Sequence, residues 1–397
     1  MRAVVFLFLM LLSAPAVAQV RSDAGLQAWI VEFRPKAIAA GITADVFDRA
    51  MADVRYAPKV VERDRNQAEF TKTIWDYLGT AVSDLRVMNG KAALKRQRTA
   101  LDAIEARYGV PAEIITAIWG LESAYGTFRG SDPILSSMAS LAYDARRGEF
   151  FEAQVIAALR ILQSGDTALA NLKGSWAGAM GHTQFMPGSF IDHAVDWDGD
   201  GRRDIWDDDP RDALASAAAY LQANGWIAWQ PWGVEVRLPE GFDYLLANRD
   251  VRKPVSDWQK IGVRTADGRL FPDPTPASIL LPAGAQGAAF MIFENFRVLE
   301  TYNTADAYVI AVGHLADRIA GAAPLKGGWP LADRALTRPE RIELQERLTA
   351  QGFDTQKIDA KIGPLTINAV RRWQLSQGLL PDGYASPGLL ELLRSAG

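Results

Sequence analysis

The stretch Gly109–Gly130 reads GVPAEIITAIWGLESAYGTFRG and has the pattern of one apolar helix. Pro111 opens it, as proline does at the first helical position. Apolar residues then recur at helical spacing: Ile114, Ile115, Ile118 and Leu121. Glu122 lies beside this apolar face near the predicted helix end, which Gly126 closes. A carboxylate placed there is either a buried, paired structural group or an acid whose pKa is raised by desolvation.

Length and composition limit the classes of protein to which this chain can belong. The 397 residues allow two or three domains, and 49% hydrophobic with 23% charged residues is ordinary for a globular chain. A net charge of −4 carries no polycation signature, so nucleic acid is not an expected partner. The absence of cysteine excludes disulfides and thiolate chemistry, and the 3 histidines are too scattered for a zinc motif.

The N-terminus has the pattern of an export signal. Met1-Arg2 precedes the apolar run Ala3–Leu12, and SAPAVAQV then supplies a small-residue cleavage site. We predict a signal peptide over residues 1–18, with cleavage after Ala18 and export to a bacterial periplasm. No apolar run is long enough to span a bilayer. We therefore expect no transmembrane segment. We also expect no lipid anchor, because no cysteine follows the cleavage site.

Periodicity divides the rest of the chain. Helices are predicted over five segments: Leu26–Ala40, Thr43–Ala52, Lys91–Tyr108, Glu149–Leu162 and Asp212–Asn224. Alternation, prolines and turn dipeptides predict a small β-containing insertion over about 226–282. The Gly/Pro-rich text GAAPLKGGWP predicts a linker over 321–336, between a first domain at 19–320 and a last domain at 337–397. Three short helices are predicted in the last domain.

An acidic loop covers 196–212. Asp196, Asp198 and Asp200, followed by glycine, occupy positions 1, 3, 5 and 6 of an EF-hand loop, and Arg202 would supply the position-7 carbonyl. The pattern departs at position 12, where Asp207 replaces the usual glutamate. Such a cluster is either a calcium site or a solvated acidic turn. Three alternating aspartates before a glycine favour calcium, in a structural role.

Two segments carry a family resemblance. The W-G-x-E-[ST] run that contains Glu122, together with GSWAGAMGHTQFMPGSF at 174–190, closely resembles the lytic murein transglycosylase B family. The match continues in order from about Asn66 to Leu315. It implies a mainly α, lysozyme-like catalytic domain with a small β-containing insertion. It also implies that Glu122 is the single catalytic glutamate of an enzyme that cleaves peptidoglycan glycan strands.

The same resemblance implies a substrate cleft. Its aromatic, amide, hydroxyl and arginine positions fall on residues suited to stacking on sugars and bonding their hydroxyl and carboxylate groups. The implied substrate-binding residues are Tyr77, Arg146, Arg147, Ser175, Gln184, Phe185, Tyr302, Asn303 and Tyr308. For each, a packed or solvated structural position is the alternative.

The resemblance extends to the acidic loop and to the last domain. The family has an EF-hand-like loop whose last ligand lies further along, which here falls on Asp212; Asp207 or Asp208 could substitute. No catalytic cofactor is implied. The helices around LQERL and VRRWQLSQGLL resemble the peptidoglycan-binding domain, although Asp359-Ala360 stands where Asp-Gly is usual. Glycan strands of peptidoglycan are therefore the expected partner.

The implied reaction is a lyase reaction. Glu122 would protonate the β-1,4 oxygen between N-acetylmuramic acid and N-acetylglucosamine and then take the C6 hydroxyl proton, leaving a 1,6-anhydro product. Two alternatives stay open. A lysozyme-type hydrolase would need a second carboxylate from Asp132, Asp144 or Glu149. A non-catalytic wall-binding protein would use Glu122 only as a structural residue.

Overall fold

The computed structural model describes residues 21–65, 72–271 and 275–396. The predicted signal peptide lies outside these ranges. The first domain contains fourteen α-helices within the described ranges: α1 Asp23–Ala39, α2 Ala44–Met51, α3 Pro58–Arg65, α4 Ile74–Ala81, α5 Asp84–Arg96, α6 Arg98–Tyr108, α7 Ala112–Ser123, α8 Ile134–Asp144, α9 Gly148–Ser164, α10 Pro187–His193, α11 Arg211–Ala223, α12 Val255–Lys260, α13 Glu294–Tyr302 and α14 Asp306–Ala320. The mainly α fold class is confirmed.

The central helix α7 is apolar on nearly every face because helices surround it. Ile115 and Ile118 are fully buried, and α5, α6, α11 and α14 all pack against α7. Helix α14 packs along α7, so Val309 and Val312 enter the same core. A helix that is hydrophobic all round is typical of the interior of a large domain. Helix α7, which the predicted apolar stretch forms, therefore lies in the centre of this core.

A second core joins the N-terminal helices to α8 and α9. Phe33 of α1 and Phe47 of α2 meet Leu135 and Val155 in one buried cluster. The short strands β1 Asp132–Pro133 and β2 Lys173–Gly174 pair antiparallel at the start of α8. This pairing brings the segment after α7 against the 174–190 loop, where a Cβ on Gly130 would lie 2.1 Å from the Gly174 carbonyl carbon.

The predicted insertion is a five-stranded antiparallel sheet with its own core. Its strands are β3 Gly233–Arg237, β4 Lys253–Pro254, β5 Arg264–Thr265, β6 Pro276–Leu280 and β7 Ala289–Ile292, in the order β4-β6-β7-β3-β5. Trp258 is fully buried among apolar side chains that include Phe293. The sheet extends past the predicted end at 282, because β7 pairs with both β3 and β6.

The last domain contains the three predicted helices, α15 Arg338–Ala350, α16 Pro364–Ser376 and α17 Pro387–Ser395. Thr337 and Glu340 form a capping box that begins α15. Leu344, Trp373 and Leu390 are buried in the small core between the helices.

The predicted linker is bound to the first domain. The Glu235 carboxylate on β3 accepts hydrogen bonds from the backbone N–H groups of Lys326 and Gly327. The rings of Trp329 and Trp75 lie 6.3 Å apart. Further along, the Asp382 carboxylate of the last domain accepts from the Ala285 N–H at 3.0 Å. We call residues 325–329 the strap, since they fasten the last domain to the sheet and to α4.

Two predicted helix boundaries differ from the structure. The segment predicted as one helix over Lys91–Tyr108 is two helices, since the chain turns at Gln97 between α5 and α6. Helix α7 ends at Ser123, before the predicted stop at Gly126, because Ala124 takes the left-handed conformation with φ 48°. Within the described residues, no helix combines the length and apolar character needed to cross a membrane.

Candidate active site

Glu122 is held in the last turn of α7 by an unusual backbone segment. Ala124 and Tyr125 both have positive φ, 48° and 59°, although neither is glycine. Tyr125 is held because its ring packs on Gly120, where a Cβ would come within 2.6 Å, and its hydroxyl donates to the Arg86 carbonyl oxygen at 2.7 Å. Each such residue costs about 1–3 kcal/mol, which the surrounding packing must offset.

The protonation of Glu122 is set by burial and by one tyrosine. Burial raises the pKa of this carboxyl from 4.5 to about 7, while the hydrogen bond from Tyr308 opposes the rise. The Tyr308 hydroxyl on α14 donates to Oε1 of Glu122 at 2.5 Å. Near neutral pH the side chain is therefore poised between the protonated and charged forms, as an acid–base catalyst must be.

A second tyrosine lies close to Glu122. Burial, and then the negative charge of Glu122, raise the pKa of the Tyr302 hydroxyl well above its usual value. This hydroxyl donates to the Thr183 carbonyl oxygen at 2.7 Å. The Tyr302 ring packs against Phe185 and Tyr220, with centroids 6.1 and 5.2 Å away. Phe185 is only 2% exposed, so the ring predicted to touch sugar lies mostly beneath the tyrosines.

Polar side chains of the 174–190 loop stabilise its conformation through hydrogen bonds to the backbone. The Ser175 hydroxyl accepts from the Ala179 N–H at 3.1 Å. Gln184 has φ 53°, and its amide nitrogen donates to the carbonyl oxygens of Gly181 and Arg129 at 2.9 and 3.2 Å. These bonds fix the loop. The sugar contacts predicted for Ser175 and Gln184 stay predictions.

Two other predicted cleft residues lie beside this group. Asn303 is exposed between α13 and α14, and its side-chain oxygen accepts from the Ala305 N–H at 3.0 Å. Tyr77 on α4 packs against the central core, and its charge contributes to the raised pKa of Tyr308. The structure therefore brings Tyr77, Tyr302 and Tyr308 into one neighbourhood with Glu122.

The predicted arginine pair lies at the other end of α8. Arg146 and Arg147 both form ion pairs with Asp64, whose side chain is 2% exposed. They line a cavity of about 910 Å³ with residues of α1 and α9, such as Trp29 and Phe150. The described lining does not include Glu122 or its tyrosines. A role in glycan binding stays a prediction, and the observed role is to join α3 to the α8–α9 turn.

One buried residue of the site was missed in the sequence. His182 is 3% exposed, and its Nδ1 accepts from the Trp119 indole N–H at 3.0 Å. Its Nε2 therefore carries the proton and donates to the Asp207 carbonyl oxygen at 2.6 Å. The Ser123 hydroxyl donates to the His182 carbonyl oxygen at 2.6 Å, next to Glu122 in sequence. A single histidine in a small-residue loop carries no periodic signal, so only this geometry reveals it.

The acidic loop brings three of its aspartates together. One carboxylate oxygen from each of Asp196, Asp198 and Asp200 lies within 4.8 Å of the others. Both oxygens of Asp196 also accept backbone N–H groups, from Gly199 at 2.7 Å and from Gly201 at 3.0 Å. This convergence of hard oxygen atoms on a tight turn fits a calcium ion.

The predicted last ligands have other contacts. Asp212 is buried, and its two oxygens accept from the N–H groups of Trp197 and Asp204, each at 2.9 Å. Asp208 instead forms an ion pair with Arg129 at 2.8 Å. Arg202 donates its N–H to Asp200 at 2.8 Å. Asp212 thus stabilises the loop through bonds to its backbone. The metal contacts of Asp212 and of the Arg202 carbonyl stay predictions.

The candidate second carboxylates do not share the environment of Glu122. Asp144 is bound to Arg65 at 2.5 Å, with its side chain 2% exposed. Asp132 lies in β1, and Glu149 is exposed at the start of α9. Among the described residues, no carboxylate contributes to the raised pKa of Glu122. The site therefore has one acid near neutral pKa, surrounded by tyrosines.

A mainly helical domain in which a tyrosine is bonded to such an acid, joined to a separate three-helix domain, is typical of the lysozyme-like class of glycan-cleaving enzymes. The comparisons narrow this class. Residues 25–317 match the Transglycosylase SLT domain, so the chain belongs to that family. Residues 337–393 match the Putative peptidoglycan binding domain.

Solved structures and a curated relative agree with this assignment. SltB3 from Pseudomonas aeruginosa, solved in complex with NAG-anhNAM-pentapeptide, is 50% identical, with a TM-score of 0.90 over 93% of this chain and 99% of that one. Slt35 from Escherichia coli, solved in complex with calcium, is 28% identical, with a TM-score of 0.63 over 75% of this chain and 93% of that one. The Membrane-bound lytic murein transglycosylase B of Escherichia coli (strain K12) is 32% identical over 240 residues, which are 59% of this chain and 64% of that relative's length.

Proposed function

We propose that this protein is a lytic transglycosylase that cleaves the β-1,4 bond between N-acetylmuramic acid and N-acetylglucosamine in peptidoglycan. One observation carries the proposal: Glu122 accepts a hydrogen bond from Tyr308, its pKa is raised to about 7, and no carboxylate among the described residues contributes to that rise. A hydrolase of the two-carboxylate type needs a second acid on the other face of the sugar. The described surroundings of Glu122 supply tyrosines instead.

The proposed reaction uses Glu122 twice. Protonated Glu122 gives its proton to the glycosidic oxygen as the C1–O bond breaks, and the O4 hydroxyl of N-acetylglucosamine leaves. The resulting carboxylate takes the proton of the muramic C6 hydroxyl, whose oxygen then bonds to C1 and closes the 1,6-anhydro ring. Water is not consumed. The Tyr308 hydroxyl, 2.5 Å from Oε1, stabilises the carboxylate between the two proton transfers.

The substrate would occupy a cleft whose residues are Tyr77, Ser175, Gln184, Tyr302 and Asn303, with Arg146 and Arg147 in the turn after α8. A glycan-bound relative at 50% identity supports this choice of ligand. We also propose that the last domain binds cell wall, which would raise the local concentration of substrate. The predicted signal peptide and the family both fit a periplasmic enzyme.

A structural calcium ion completes the proposal. Asp196, Asp198 and Asp200 would bind it through carboxylate oxygens, with the Arg202 carbonyl and Asp212 as further candidates. The supporting observations are the convergence of the three aspartates and the calcium complex of the Slt35 relative. Calcium would stabilise the turn before α11 and take no part in bond cleavage.

Mass spectrometry of the products tests the reaction. Purified peptidoglycan is digested with the wild type, with Glu122→Gln and with Glu149→Gln as an exposed-carboxylate control. We expect muropeptides one water lighter than hydrolytic products from the wild type and the control, and none from Glu122→Gln. Products of full hydrolytic mass would identify a muramidase. Binding to cell wall without any product would leave a wall-binding protein.

A further inference from the structure

Arg249 of the insertion contacts both active-site helices, α13 and α14. Arg249 lies in the loop before β4, and its guanidinium group forms ion pairs with Glu300 of α13 and Asp306 of α14. Its side chain is 19% exposed, and those of its two partners are 22% and 29% exposed. Arginine suits such a place because its planar fork can bond two carboxylates at once.

Both partners of Arg249 are neighbours of active-site tyrosines. Glu300 lies two residues before Tyr302, and Asp306 lies two residues before Tyr308. Successive helical residues are about 100° apart, so residues two positions apart point to nearly opposite sides of a helix. The carboxylates therefore point to the sheet, while the tyrosine hydroxyls point to Thr183 and Glu122.

The Arg249 loop is itself fixed. The Arg249 carbonyl oxygen accepts from the Ser278 hydroxyl on β6 at 2.9 Å and from the Arg297 guanidinium on α13 at 2.8 Å. The Arg249 guanidinium also lies 5.3 Å from the centre of the Phe296 ring. Because both its backbone and its side chain are bonded, Arg249 has a fixed position, and it therefore fixes the positions of the Glu300 and Asp306 carboxylates.

We propose that Arg249 is a positioning residue for catalysis, through which the inserted sheet holds the α13–α14 corner so that Tyr308 stays bonded to Glu122. This inference rests on the proposed function and assigns a role to the insertion. Loss of the ion pairs leaves two partly buried carboxylates facing each other, and their repulsion opens the corner. A small displacement of the Tyr308 hydroxyl lowers the rate of the chemical step more than it lowers substrate binding.

A neighbouring ion pair supplies the matched control. Arg252 is three residues further along the same loop and pairs with Glu294 at 2.8 Å. This pair also joins the insertion to α13, but at the first residue of a helix of 9 residues, about 12 Å from Tyr302 at its end. Arg252→Gln therefore removes a contact of the same kind without releasing the corner.

The test measures kcat and KM for release of anhydro products from soluble, uncrosslinked glycan strands. We expect Arg249→Gln to lower kcat about tenfold with KM changed less than about twofold. Arg249→Lys should recover part of the loss, because a lysine can pair with one of the carboxylates. Arg252→Gln should keep wild-type kcat. An equal loss in Arg252→Gln, or a change confined to KM, would overturn the proposal.

A double-mutant cycle with Tyr308→Phe separates positioning from general destabilisation. If Arg249 acts through the Tyr308 hydroxyl, Arg249→Gln should lower kcat by less than about twofold once that hydroxyl is absent. If Arg249→Gln still lowers kcat about tenfold in the Tyr308→Phe background, the proposal that Arg249 acts through the Tyr308 hydroxyl is refuted. Should Arg249→Gln fail to fold, Asp306→Asn and Glu300→Gln take its place, and Asp306→Asn is expected to have the larger effect on kcat. Failure of the proposed function is seen separately, as the absence of anhydro products from the wild type.

Discussion

Glu122 should destabilise the folded protein at alkaline pH, and Glu122→Gln tests this. Burial raises the pKa of the carboxyl from 4.5 to about 7. Between these two values the unfolded chain has released its proton and the folded protein still holds it. The contribution of Glu122 to stability is therefore complete below about pH 4.5, falls as the pH rises and is lost above about 7.

The size of this loss of stability follows from the difference between the two pKa values, 4.5 and about 7. At about 1.4 kcal/mol for each unit of pKa, the cost of the charged carboxylate has an upper value of about 3 kcal/mol. Glu122 is only half-buried, and screening by water reduces the cost to about 1–2 kcal/mol. Glutamine keeps the shape and an oxygen that can accept from Tyr308, but it carries no charge. Glu122→Gln should thus be more stable than the wild type above pH 7 and equally stable below about pH 4.5.

The assay is thermal unfolding of both proteins across this pH range. At pH 8.5 we expect a Tm about 2 °C higher for Glu122→Gln, because the usual shift of about 2–4 °C per kcal/mol for 150–250 residues becomes smaller in a larger domain. The advantage should shrink steadily as the pH falls. Glu149→Gln, at an exposed position, should show no such difference. A gain that is independent of pH, or a Glu122→Gln protein that is less stable at pH 8.5, would refute the reasoning.

Three further predictions test other contacts. Tyr308→Phe removes the bond that lowers the Glu122 pKa, so the alkaline limb of the kcat/KM profile should move up by about one pH unit; a move toward acid would contradict this. Calcium should raise the Tm of the wild type by about 3 °C and leave that of Asp198→Asn unchanged, with equal shifts in both proteins excluding this site. Gly327→Val should release the strap, because its Cβ would lie 2.8 Å from the Ala288 Cα. Protease should then cut within 321–336 at least about fivefold faster, whereas an unchanged rate would show that the strap remains bound.

The fold was largely predictable because its strongest signals are periodic. The apolar pattern of α7, the threonine before α2 and the three terminal helices all follow from local sequence. The break at Gln97 was not predictable, since no glycine or proline marks it and packing of α5 and α6 on α7 decides it. The left-handed Ala124 likewise depends on the tertiary contacts of Tyr125.

The resemblance placed Glu122 at the centre of the candidate site, whereas the contacts around this residue could not be predicted. Glu122 and the tyrosine positions came from a resemblance, and the bond between Tyr308 and Glu122 joins residues 186 positions apart. The contacts of His182 and Arg249 depend on segments that meet only in the folded chain. The Asp64 pairing of Arg146 and Arg147 was hidden for the same reason.

The strap changes what the last domain can do for the enzyme. A flexible linker lets a bound domain move within a volume around its attachment point. Residues 325–329 are instead bound to β3 and α4. The last domain is therefore held against the first domain, as the bond between Asp382 and Ala285 also indicates. Under the proposed function, a cell-wall contact made by the last domain would then fix which part of a glycan strand lies near Glu122.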